Sequence, residues 1–349
     1  MSVLINILLF IVILGVIVFV HEFGHFIWAK IAGVYVYEFA IGMGPKIWGV
    51  RKGETQYNLR AIPIGGFCQM AGENLDNDDL DKIPEDRRLQ SKSAWQRFLI
   101  MLFGPMNNFI LAVLLILFIS LIWGGTTLTP KITSIEADSA ASFVGIKKND
   151  VVVSINGHKV STSDDLSLYL SLANPKNKTE IVVLRDNKKK TFLVKPTKIG
   201  SGKEVSYRYG IGIQQEKTKG IIASLVYTYR KTGSIFKQMF VTVWHLIIGG
   251  IRLNQLSGPV GIYSVVGQQR TAGLANILYL MAFLSINVGF INLLPIPAFD
   301  GGHILFIVIE KIKGSPVNPE IENKIHSIFL ILLMLFMLII TVNDILRFF

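Results

Sequence analysis

His21-Glu22-Phe23-Gly24-His25 sets two imidazoles four residues apart, with a carboxylate beside the first. On a helix that spacing puts the rings about 40° apart around the axis and roughly 6 Å along it, so both can grip one zinc ion. Glu22 then stands as the general base of a metal-assisted hydrolysis. With only six histidines in 349 residues, chance is a weak rival. A charged pair at a membrane boundary is the bland alternative, but a glutamate within an apolar run costs about 2 to 4 kcal/mol unless paired or functional. Two histidines leave a catalytic zinc one protein ligand short, since open sites generally use three plus water. The remaining carboxylates and histidines are the candidates. Asp300 stands out because it follows Pro295 and Pro297, which halt a helix and can turn the carboxylate back into a bundle. Its rival role is a plain N-cap for a helix from Gly301.

These residues sit in a chain built for a membrane. It is 51% hydrophobic and only 17% charged, which excludes a disordered or fibrous protein. Residues 3–20, 98–123, 271–299 and 327–343 contain no Asp, Glu, Lys or Arg. About 20 helical residues cross a hydrocarbon core, so four transmembrane helices are expected. The first run lacks the basic start and small-residue cleavage site of a signal peptide. Lys30 marks the expected cytoplasmic edge of that run, and His25 lies five residues inside it, about 7 Å at 1.5 Å per residue. A metal held there would lie within the bilayer, near its cytoplasmic face. The third run crosses in the opposite direction and delivers Asp300 to the same depth.

The net charge of +11 does not signal nucleic-acid binding, because residues 124–270 alone hold 21 Lys/Arg against 9 Asp/Glu. Between membrane spans, such a block is a solvated surface or a face drawn to anionic lipid headgroups. The single cysteine, Cys68, excludes an intramolecular disulfide and reads as a small buried hydrophobe.

The expected order is a transmembrane helix over residues 1–30, then a cytoplasmic-side region of short strands and polar loop over 31–97. That region includes a hairpin around Lys52-Gly53 and an acidic solvated loop over 76–81. A second transmembrane helix follows over 98–123, interrupted by Gly104-Pro105. Residues 127–216 read as a small β-rich domain, with alternating Val151, Val153 and Ile155 ending at an Asn156-Gly157 turn. Residues 218–270 form an amphipathic membrane-surface segment. A third transmembrane helix covers 271–303, a basic cytoplasmic connection 304–324, and a fourth transmembrane helix 325–346. The fold class is thus a polytopic α-helical membrane protein carrying an inserted β domain. Arg/Lys clusters beside the second span and in the last connection put both of those segments in the cytoplasm. The termini and the β domain then face outside.

The motifs together resemble the site-2 protease class of intramembrane zinc metalloproteases, of the bacterial RseP type, over essentially the whole chain. His21-Glu22-Phe23-Gly24-His25 is similar to the zinc helix of that class, and Gly104-Pro105-x-x-Asn108-Phe109 to its second-helix motif. Ser257-Gly258-Pro259-Val260-Gly261-Ile262 resembles the element before its third span. Asn292-x-x-Pro295-x-Pro297-x-Phe299-Asp300-Gly301 resembles its Asn-x-x-Pro-x-Pro-x-Leu-Asp-Gly signature, with Phe299 in place of Leu. The resemblance implies zinc on His21, His25 and Asp300, and substrate binding by Asn108 and Asn292. Those asparagines are suited to catch backbone groups of an unwound helix, although interhelical hydrogen bonding is an equal alternative. Strand pieces around 35–70 resemble the family's membrane re-entrant β-loop, whose edge could take an unwound substrate as an added strand. The β domain resembles a single bacterial PDZ module through Ser139-Ala140-Ala141, Gly145-Ile146-Lys147-Lys148-Asn149-Asp150 and Ile155-Asn156-Gly157, with Asn149 in place of a customary glycine.

The expected activity is therefore zinc-dependent cleavage of single-pass membrane proteins within the bilayer of the inner (plasma) membrane. Regulated intramembrane proteolysis of anti-sigma factors or remnant signal peptides, after a first cut by another protease, is what the resemblance implies. A non-catalytic PDZ-bearing membrane adaptor is the rival from another class. A metal transporter would need further intramembrane ligands, of which His326 near a membrane edge is the one present.

Overall fold

The computed structural model describes residues 2–73, 82–200, 206–213, 215–250 and 258–348. The acidic run 76–81 and Ser257 lie outside the described residues. Two compact units divide the chain, residues 1–116 with 253–349 and residues 117–252.

Among the described residues, four helices are long and apolar enough to cross a membrane: Val3–Ile31, Ala94–Trp123, Leu274–Asn292 and Glu320–Leu346. They lie in α1 (Ser2–Ile31), α2 (Ala94–Trp123), α7 (Leu274–Asn292) and α9 (Pro319–Phe348). Their apolar side chains are exposed over long stretches, as with Leu332, Met334, Leu335 and Leu338 of α9, the arrangement lipid contact requires.

Gly104-Pro105 does not interrupt α2, which runs unbroken from Ala94 to Trp123. Close packing carries the helix through the proline. A Cβ on Gly24 of α1 would overlap the Phe103 carbonyl of α2, and Gly289 of α7 would meet Pro105 O at 2.9 Å. Ser285 of α7 donates to Asn108 O at 2.8 Å. Small residues let the three backbones approach, and the serine supplies a polar bond where no water can.

The third span is shorter than expected. It ends at Asn292, and α8 (Asp300–Lys313) then takes in the first half of the segment read as a basic connection. Arg97 of α2 pairs with Glu310 of α8 at 2.7 Å, so this helix is anchored rather than looped. Its end is set by Gly314 in the left-handed conformation, φ 75°. Among its described residues, the 218–270 segment holds two helices, α5 (Ile221–Ile247) and α6 (Pro259–Ala272). The start of α6 is held by Asp344 of α9, which is buried and accepts the N–H groups of Gly258 and Gly261 at 2.9 and 2.8 Å.

Strands β1 (Val36–Lys52) and β2 (Thr55–Met70) form the expected hairpin, with Lys52 opposite Thr55 and Lys46 opposite Arg60. Residues 38–41 have partners on both sides, 56–59 and 66–69. The hairpin rests on α1 through Phe39, which meets Phe19 and Phe26 at ring separations of 6.0 and 5.2 Å.

The second unit has a four-stranded antiparallel sheet of residues 158–159, 151–155, 179–185 and 188–194, in that order. Helices α3 (Ala140–Phe143) and α4 (Ser163–Leu172) accompany it. Ile132, Val152, Ile155, Leu166, Ile181 and Val183 form its core. Asn149, Asn156 and Gly157 have φ of 75°, 47° and 79°, so asparagine does take the left-handed position. In α5 the usual amphipathic sense is largely reversed: Ser224, Thr228, Lys231 and Ser234 are buried beside a single buried apolar residue, Ile235, while Ile222, Tyr229, Phe240 and Trp244 are exposed. The buried face is satisfied by charge, with Lys231 on Asp164 at 2.7 Å and Lys237 on Asp165 at 2.9 Å.

Asp150 is buried and paired with Arg185 at 2.6 Å. Burial alone would raise its pKa, but the Arg185 hydrogen bonds and the Lys147 N–H hold the carboxyl below its ordinary value. A carboxylate with a lowered folded-state pKa stabilises the fold at neutral pH and loses that contribution as pH falls through the lowered value. Asp150→Asn should cost about 3 kcal/mol in this unit. Hydrogen exchange of residues 151–155 and 179–185 should then show faster opening at pH 7, and a smaller difference from wild type as the pH drops below about 4.

Candidate active site

α1 presents His21 and His25 on one face, as the four-residue spacing requires, and α8 brings Asp300 to them. His21 Nε2 lies 3.2 Å from His25 Nε2 and 3.1 Å from Asp300 Oδ2, and His25 Nε2 lies 3.4 Å from Asp300 Oδ1. Both histidines are buried. Two ligand atoms at zinc distance on a tetrahedron are about 3.3 Å apart. The three groups therefore fit the edges of a zinc coordination shell, and all three line one cavity.

Tautomer chemistry agrees for His25. It donates Nδ1–H to Ile100 O of α2 at 2.8 Å. A carbonyl can only accept, so the lone pair of this ring is on Nε2, the atom facing His21 and Asp300. Gly104 makes that seat possible, because a Cβ there would overlap the imidazole of His25.

Asp300 is the first residue of α8, and Phe299, not Asp300, is the N-cap, with no side-chain cap bond. The carboxylate is thus free of the capping role and turned to the histidines. Gly301 and Gly302 allow this, since a Cβ on either would strike the carbonyls of Leu293, Leu294 or Ile296 in the preceding turn.

A cavity of about 470 Å³ opens on the three residues, and Glu22 lines it. The Cys68 main chain of β2 approaches the Glu22 carboxylate. Phe67, Cys68, Gln69 and Met70 form one wall, and Glu73 and His303 complete the polar lining. Burial pushes the Cys68 thiol up, which removes it as a nucleophile at neutral pH. Burial also holds the Glu73 carboxyl above its usual range, against the Met70 N–H that it accepts at 3.2 Å.

Neither asparagine is among the residues lining the cavity. Asn108 is fully buried and sets its amide 3.3 Å from His21 Nδ1. Asn292 is the last residue of α7 and is not among the residues lining the cavity. Sequence reasoning did not pick out Gly104 by role, nor Glu73 or His303. His303 carried a signal, lying one helical turn after Asp300, whereas Glu73 is indistinguishable in sequence from the acidic run that follows it.

Residues 9–336 match the profile of peptidase family M50. The chain belongs to peptidase family M50. Its relatives include the regulator of sigma-W protease RasP of Bacillus subtilis, 32% identical over 99% of each chain. A putative zinc metalloprotease of Clostridium perfringens is 37% identical over 94% of this chain and 95% of its own. Another, of Staphylococcus aureus, is 33% identical over the full length of both. This M50 peptidase is accordingly an intramembrane zinc metalloprotease, and the adaptor reading gives way to the catalytic one.

Gly104→Ala should drive the His25 ring off its seat while adding helix propensity to α2. Zinc content after purification should fall below wild type, with the helical signal by circular dichroism unchanged.

Proposed function

We propose that this M50 peptidase holds its zinc on His21, His25 and Asp300, and that Glu22 is the general base for hydrolysis of a peptide bond in a transmembrane segment. The convergence of three buried ligand atoms at tetrahedral-edge distances carries this reading. Bound there, zinc supplies Lewis acidity that polarises a peptide carbonyl and acidifies water. Glu22 takes the water proton and returns it to the leaving amine. Asn108 orients His21: with its amide turned so that Oδ1 faces the ring, it accepts Nδ1–H and leaves Nε2 its lone pair. That orientation also gives a partner to an Oδ1 otherwise buried without one. Asn292 remains the candidate for holding substrate backbone.

A transmembrane helix hides its amides in its own hydrogen bonds, so the substrate must unwind before it is cut. The wall formed by residues 67–70 lies beside the space that the unwound segment enters, which favours strand addition. The exposed Ile47, Trp48 and Val50 of the hairpin favour its insertion among lipids, as a re-entrant loop. The exposed apolar stripe of α5 favours a seat at the membrane surface.

Substrates are single-pass membrane proteins, with anti-sigma factors or remnant signal peptides as the favoured kinds, cut first by another protease outside. The name of the Bacillus subtilis relative, a sigma-W regulator, supports the first kind. The β-rich unit acts as a PDZ-like module that selects pre-trimmed substrates. The protein lies in the inner (plasma) membrane, with residues 31–97, the re-entrant hairpin among them, and 304–324 on its cytoplasmic side and residues 127–216 outside.

Glu22→Gln should retain zinc and lose turnover, since the ligands are untouched and the base is gone. Asp300→Ala should lose both. Zinc content after mild chelation, with cleavage of a reconstituted transmembrane substrate, reads both variants. Cleavage by zinc-loaded Glu22→Gln would reject the assigned base, and wild-type zinc retention by Asp300→Ala would reject the third ligand.

A further inference from the structure

Beside the active-site cavity, which His303 of α8 also lines, His303 and the α9 residues Glu322 and His326 form a second cluster whose ligand-type atoms lie within 4.8 Å of one another. By composition it could hold a metal. The hydrogen bonds point elsewhere. His326 Nδ1 accepts the Ala298 N–H at 3.1 Å, so its lone pair is used and the neutral ring carries its proton on Nε2. Nε2 is buried, and faces Glu322 Oε1 at 3.9 Å. This is the opposite of His25, whose Nδ1 donates to a carbonyl and leaves Nε2 bare. A ring with a proton on the inward nitrogen is a poor metal ligand and a good tether.

What it tethers is the turn that delivers Asp300. Residues 293–299 join α7 to α8, and Ala298 there has φ 96°, a conformation that a residue with a Cβ resists. Within the turn, Ile296 N–H bonds to Leu294 O and Phe299 N–H to Ile296 O, while Pro295 and Pro297 have no N–H. The Ala298 N–H is the one that reaches across to another helix. On the far side of Asp300, His303 stacks on His326 with ring centroids 4.0 Å apart, and its Nδ1 lies 3.4 Å from Glu322 Oε1. α9 thus grips the chain two residues before Asp300 and three residues after it.

We propose that His326 is a positioning residue for Asp300, its Nδ1 holding the strained Ala298 turn in the form that presents the carboxylate to His21 and His25. The proposal rests on Asp300 being a zinc ligand. Because His326 belongs to the fourth span and touches neither histidine of the first, it also makes the packing of α9 a condition for an assembled site.

The test compares the full-length protein with His326→Ala, His326→Asn and His326→Ala combined with Ala298→Gly, in detergent or reconstituted. Asparagine places an acceptor oxygen where Nδ1 stands, and glycine takes a positive φ without strain. Zinc stoichiometry, the rate of zinc loss to a chelator, and kcat and KM for a transmembrane substrate are measured. Wild type should hold one zinc. His326→Ala should release it about tenfold faster or more and lose kcat with KM little changed. His326→Asn should stay near wild type, and Ala298→Gly should restore part of the loss. If His326→Ala does not fold, His326→Phe takes its place: it keeps a ring to fill the space, lacks the Nδ1 acceptor, and should show the same faster zinc release. Equal zinc release by wild type and His326→Ala, failure of asparagine to substitute for histidine, or a second zinc that His326→Ala removes would each overturn the proposal. Asp300→Ala run alongside separates the two readings. If it keeps its zinc, the ligand assignment fails; if it alone loses zinc, only the role of His326 fails.

Discussion

Two imidazole nitrogens and a carboxylate oxygen, each within 3.4 Å of another and all in a low-dielectric interior, form an arrangement that wants a cation among them. A soluble protein could let water separate such groups. In a membrane unit they must be held by the chain itself, and much of the surrounding structure is the means of holding them. α1 supplies His21 and His25 at fixed spacing on one rigid helix. The Asp300 carboxylate has to be brought from a segment 275 positions later, and this sets what α2, α7, α8 and α9 must do.

Close backbone approach is the first of those means. Gly24, Gly104 and Gly289 occur where a Cβ would collide with a neighbouring helix or with the His25 ring. The same contacts explain why a proline is tolerated inside α2. Ile100 O accepts the His25 Nδ1–H and Gly104 leaves room for its ring, so a motif that looks like a helix defect is part of the seat of His25. The second means is polar fastening at chosen points. Arg97 on Glu310, Asp344 on the start of α6 and His326 on Ala298 tie helices together where the hydrophobic effect gives no direction. Such bonds suit a membrane unit because van der Waals packing alone leaves helices free to rotate and slide.

The β-rich unit follows different rules. Its core is an ordinary packed set of Ile, Val and Leu, and its turns use Asn and Gly in left-handed conformations. α5 lies against it with charged and hydroxyl groups inward and apolar groups outward, which inverts the pattern of a soluble amphipathic helix. That inversion is intelligible if lipid rather than water faces the outer side.

The four spans, the hairpin at Lys52-Gly53, the zinc helix and the turn asparagines were legible in the sequence because each rests on local physics: unbroken apolar length, alternation, four-residue spacing, tolerance of positive φ. Motif resemblance added Asp300 at long range. Other features were not legible. The length of the third span, the helix in the first half of the basic connection, the two helices among the described residues of 218–270 and the continuity of α2 through Pro105 depend on what packs against each segment, and no local pattern records that. The same holds for the partners of Asn108 and His326. An asparagine or histidine in an apolar run announces that it needs a hydrogen bond, but whether it gives or takes one, and from which helix, is decided only when the tertiary fold places a specific donor or acceptor against it.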